Sequence, residues 1–128
     1  MLDVPFSAVD HVQLAMPPGQ EDRARGFYIT ILGMVELSKP PVLARRGGCW
    51  FASGEVQLHL GVETDFRPAR KAHPGLRCAR YDVLLTHLRE HGLDVREDDE
   101  LPGVRRAYVD DPFGNRLELI ADAHSAAT

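Results

Sequence analysis

Cysteine is scarce in this 128-residue chain: Cys49 and Cys78 are the only two. They form no CxxC pair, which argues against a disulfide framework or a thiolate zinc cluster. Long apolar runs are missing as well; none approaches the roughly 18 residues that a membrane helix needs. The opening MLDVPFSAVD lacks the basic start and apolar stretch of a signal peptide, so a reduced, cytoplasmic protein is expected. Basic residues are outnumbered, 15 against 19 acidic, for a net charge of -4. That balance gives no basic face for nucleic acid, and no nucleic-acid partner is expected. What remains is an ordinary globular composition, 44% hydrophobic and 27% charged. Residues 1–128 suffice for a single domain with one core.

Hydrophobic periodicity divides the chain into two similar halves. In VDHVQLAM, Val12, Leu14 and Met16 alternate with His11 and Gln13, the pattern of a strand with one buried face. EDRARGFYITIL then places Ala24, Phe27, Tyr28, Ile31 and Leu32 at helical spacing, with acidic residues at the start and Gly33 at the end. Three extended pieces follow, around MVEL, CWFA and EVQLHL. After a linker at about 62–72 the order recurs. HPGLRC predicts a strand, RYDVLLTHLREHG a helix ending at Gly92, and DVRE, VRRAYVD and RLELI three more strands. The turn DDPFGN joins the last two, with Gly114 or Asn115 suited to positive φ. The expected fold is α+β, two βαβββ modules (9–61 and 73–121) whose curved mixed sheets surround a cleft, with the helices outside and Leu58, Leu117, Leu119, Phe27 and Leu88 buried.

The duplication aligns His11 with His73, Trp50 with Tyr108, and QLHL (57–60) with RLEL (116–119). Each half therefore offers one candidate ligand on its first strand and one on its last: His11 and His59, His73 and Glu118. Strand parity puts all four opposite the leucines that face the helices. Three imidazoles and a carboxylate suit a divalent metal such as Zn, Ni, Fe, Co or Mn. Any one of them alone is better explained as an ordinary polar residue on a sheet face. Four at duplicated positions point to a site. Trp50, Arg106 and Tyr108 are expected to line the cleft, because Phe51, Ala107 and Val109 have the better claim on the core. Arg45, Arg46, Arg67, Arg70 and Lys71 are candidate attractors of an anionic substrate or simply solvated charges. His87, His91 and His124 are expected to be solvent-exposed.

VDHVQL, ARGFYITILGM, VQLHLG, AHPGLRC and VDDPFGNRLELI together resemble the vicinal oxygen chelate superfamily, which includes glyoxalase I, extradiol dioxygenases, and fosfomycin and bleomycin resistance proteins. The resemblance spans about Val9 to Ala121. It implies paired βαβββ modules enclosing a metal. Glyoxalase I-like members take ligands at four positions that match His11, His59, His73 and Glu118, two from each half and often across a dimer interface. Dioxygenase-like and fosfomycin-resistance-like members use three, matching His11, His73 and Glu118. Where the glyoxalase pattern usually has a Glu, this chain has His59.

The resulting expectation is a metal-dependent enzyme acting on a small oxygenated substrate by lyase or isomerase chemistry. Glu118 would be both ligand and proton shuttle, and His59 a second candidate base. The alternatives are an Fe(II) extradiol-type dioxygenase and a metal-free small-molecule (antibiotic) binding and resistance protein. A homodimer is expected as the working unit.

Overall fold

The computed structural model describes residues 3–122. Its first half runs β1 (Val12–Met16), α1 (Glu21–Arg25), β2 (Val35–Leu37), α2 (Pro41–Ala44), β3 (Cys49–Ser53) and β4 (Val56–Val62). The second runs β5 (Gly75–Cys78), α3 (Tyr81–Glu90), β6 (Arg96–Asp98), β7 (Arg106–Asp110) and β8 (Arg116–Ala121). Each half builds a four-stranded mixed sheet in the same order, β1-β4-β3-β2 and β5-β8-β7-β6. The first strand of each lies parallel to the last, which requires a crossover, and the helix supplies it. The duplication read from the sequence is thus a property of the fold.

Register carries the duplication down to single residues. Trp50 stands across from His59 and Tyr108 across from Glu118; Gln13 and Gly75 occupy the matching places on the parallel side. The helix-facing sides form the core. Leu58, Leu117, Leu119, Phe27 and Leu88 are all buried, as are Phe51, Ala107 and Val109. Tyr28 stacks on Phe51 at 5.1 Å between ring centroids, fixing the first helix to its sheet.

Two features escape the hydrophobic pattern. After α1 the helix widens into a π-helical stretch, Gly26–Ile31, where Leu32 donates its amide hydrogen to the Phe27 carbonyl. The short helix α2 begins with Pro41 in its first turn, where a missing N–H costs nothing.

The DPFGN turn does more than join two strands. Asp111 accepts hydrogen bonds from the Phe113 and Asn115 amides, each at 2.9 Å, from the Asn115 side chain at 2.9 Å and from the Tyr28 hydroxyl at 2.7 Å. Asn115, fully buried, also donates to the Ala15 carbonyl at 2.8 Å and accepts from the Ala69 amide at 2.9 Å. It is Gly114 that takes positive φ; Asn115 is held by its side chain instead. The turn therefore bolts the second half to the π-helical stretch and β1 of the first. Burial pushes the Asp111 carboxyl up, against the pull of its donors, and burial and then the Asp111 charge push the Tyr28 phenol well up. His87 adds a second tie, donating Nε2–H to the Ile31 carbonyl at 2.7 Å. It is half-buried rather than solvent-exposed, whereas His91 is exposed. His124 lies outside the described residues. Among those described, no helix is long and apolar enough to cross a membrane.

Candidate functional site

The first sheet carries a stack of three rings. His59 on β4 is 6% exposed and lies between His11, just ahead of β1, and Trp50 on β3. The His11 and His59 centroids are 4.1 Å apart with planes 12° from parallel; Trp50 and His59 are 4.6 Å and 15° apart. Cross-strand register causes the second contact, because Trp50 is the β3 neighbour of His59. Burial, and after it the neighbouring His11, push the His59 imidazole below its ordinary range, so the ring is neutral at neutral pH. Asp10 lies 2.9 Å from His11 Nδ1, and the Lys39 ammonium approaches the Trp50 ring at 5.7 Å.

The second sheet carries the other pair. His73, two residues ahead of β5, has Nε2 2.8 Å from Glu118 Oε1, with side chains 21% and 13% exposed. Its Nδ1–H donates to the Lys71 carbonyl at 2.8 Å. Tyr108 meets the His73 ring edge-on at 5.6 Å, and Arg106 reaches Glu118 Oε2 at 3.4 Å and Asp98 at 3.5 Å. All seven residues expected at the site thus lie in two groups, His11-His59-Trp50 and His73-Glu118-Arg106-Tyr108. The edges of the two sheets adjoin along a groove lined by His11, Val12, Leu58, Pro74, Gly75 and Leu76.

The chemistry of the second pair fits a cation. With Nδ1–H committed to a carbonyl, Nε2 faces a carboxylate oxygen at 2.8 Å, a place for a proton or a metal. A backbone carbonyl that sets the tautomer of a metal-ligating histidine is the usual supporting contact. The first pair is arranged differently: the rings stack, and each has its own polar neighbour, Asp10 at 2.9 Å from His11 Nδ1 and Gln57 at 3.3 Å from His59 Nε2. Among the described residues, no three His, Cys, Asp or Glu side chains converge as a metal site. Of the loop cations, Arg46 lines a hollow with Gln13, Lys39 and Trp50, and Lys71 contributes its carbonyl. Asp98 carries no signal in the sequence, whereas alternation puts Arg116, like Glu118, on the strand face opposite Leu117 and Leu119.

No protein-family model matches the chain, and no curated protein matches it significantly. Solved structures do. A protein from Bacillus anthracis, described as of the glyoxalase family, is 43% identical, with a TM-score of 0.92 over 94% of this chain and 99% of its own. Lactoylglutathione lyase from Agrobacterium tumefaciens is 20% identical, with a TM-score of 0.68 over 92% of this chain and 96% of its own. TnmS3, an antibiotic binding protein from Streptomyces sp. CB03234, is 25% identical, with a TM-score of 0.69 over 92% of this chain and 100% of its own. The last two share the fold; the identity and coverage of the first carry the assignment. This chain belongs to the glyoxalase family, within the vicinal oxygen chelate superfamily.

Proposed function

We propose that this protein is a metal-dependent enzyme of its family, acting on a small substrate with neighbouring oxygens by lyase or isomerase chemistry. The observation that carries this reading is the facing pair His73 Nε2 and Glu118 Oε1, 2.8 Å apart in a half-buried setting. His73, Glu118, His11 and His59 would hold the cation, which when bound supplies Lewis-acid stabilisation of charge developing on a substrate oxygen. The chain's own residues do the rest. Glu118 Oε2 would take and return a proton, and Arg106, 3.4 Å away, would orient it. Where it is not bound to the cation, neutral His59 would offer a basic nitrogen instead, with Trp50 packed on its face to exclude water from one side.

A second reading, a small-molecule binding protein without catalysis, has one observation in its favour. The Trp50-His59-His11 stack is an aromatic surface of the kind that holds flat ligands.

The functional unit of this proposal is a homodimer. Among the described residues of one chain no three of these side chains converge, and a second copy would be needed to bring the pairs together. Val4, Phe6 and Val9 of the segment leading into His11 are 86%, 84% and 76% exposed, apolar surface suited to a partner.

Metal content per chain decides between the readings. Wild type purified without chelators and resupplied with Zn, Ni, Fe, Co or Mn should retain metal. Glu118→Ala should lose it with melting preserved, because no core volume is removed, and Glu118→Gln should bind more weakly. If wild type retains none of the five, the binding-protein reading replaces the enzyme.

A further inference from the structure

The second sheet carries an arginine whose charge no carboxylate among the described residues meets. Arg116 opens β8 two residues before Glu118, so both side chains leave the same face of the strand. Its guanidinium lies over the Tyr108 ring, 5.2 Å from the centroid, and its Nε is enclosed with no acceptor. The cross-strand neighbour Asp110 turns instead to Arg96, at 3.0 Å. Arg106 approaches the same ring at 5.9 Å, but Asp98 and Glu118 answer its charge. A half-buried guanidinium without a counter-ion is costly to desolvate, and an arriving anion offsets that cost.

We infer that Arg116 seats an anionic group of the substrate, a carboxylate or a phosphate-type oxyanion, beside the His73-Glu118 pair. The inference rests on the functional reading above and narrows its substrate class. Tyr108 links the two places, since its ring lies under Arg116 and meets His73 edge-on at 5.6 Å. The planar guanidinium fork matches both kinds of oxyanion, which a lysine at this place would grip as a point charge only.

Inorganic phosphate and acetate, titrated separately into metal-free protein, test this. Calorimetry should detect binding of at least one anion to wild type, and the anion that binds identifies the class. Arg116→Met should weaken that binding by about tenfold or more, the loss expected for a charge-assisted contact. Arg80→Met, at an exposed position just ahead of α3, should bind like wild type. Arg116→Lys keeps the charge without the fork and covers the case in which Arg116→Met does not fold; its affinity should fall at least roughly threefold. Failure of both anions to bind wild type overturns the proposal, and so does undiminished binding by the folded Arg116 variants. Metal uptake is measured apart: its absence in wild type removes the enzyme reading but leaves the anion result standing.

Discussion

At the scale of single residues, the polar groups of this chain fall into two kinds, those that hold the fold and those free for chemistry. Tyr28 and Asp111 belong to the first. Tyr28→Phe leaves a buried carboxyl one donor short, and a loss of about 1–3 kcal/mol in unfolding free energy is expected by denaturant titration. The phenol also predicts a pH dependence. Its native pKa is raised well above the ordinary value near 10. The folded state therefore holds its proton where the unfolded state has lost it. The stabilisation is complete below about pH 10 and declines as pH rises further. Tyr28→Phe should abolish that part of the alkaline decline; an unchanged slope above pH 10 would show that other groups cause it. Glu118 is proposed for the second kind. It has no core role, its neighbours are His73 and Arg106, and its replacement should cost function rather than stability.

At the scale of elements, the strands are placed by alternation and the helices by crossover, while the joints depend on close approach. Gly48, at the entry to β3, shows the second effect. Its φ is +83°, and a Cβ there would meet the Leu60 carbonyl oxygen on β4 at 2.1 Å. Backbone cannot swing aside as a side chain can. Gly48→Ala should therefore destabilise the protein by roughly 2–4 kcal/mol, combining left-handed strain with displacement of the β3-β4 ladder. A melting temperature within a degree of wild type would refute this. The same consideration explains why α2 and the π-helical stretch were not legible. Four residues carry too little periodicity to register, and a widened turn changes which carbonyl an amide reaches without changing the apolar pattern.

At the scale of the molecule, one chain presents two separate side-chain pairs, His11-His59 and His73-Glu118, and an exposed apolar segment before β1. Sedimentation of wild type at micromolar concentration should show a dimer. Phe6→Ser should shift the equilibrium toward monomer by about tenfold or more if that ring is buried between copies, as expected for loss of an aromatic anchor. A monomeric wild type would count against the dimer and require the site to assemble within one chain. The fold, the paired sheets and the register of QLHL with RLEL are the same in either case.

The sequence by itself determined the two βαβββ halves, because alternation with period 2, helical spacing and turn residues are local properties that repeat at matching positions. It also determined which face each of His59, Glu118, Trp50, Arg106 and Tyr108 would occupy, since parity along a strand is fixed once the leucines choose the core. Tertiary structure alone decided which of these side chains touch. His11 stacks on His59 and His73 turns to Glu118, so four residues equivalent by sequence become two unlike pairs. Only the packed molecule revealed Asp111 and Asn115 as the bolt between halves, because each partner lies tens of residues away, beyond any local pattern. Strand parity put Arg116 on the face of Glu118, but it did not say whether the charge would be paired. Whether a charge has a counter-ion is settled by the distances between strands, and there Asp110 had already turned to Arg96.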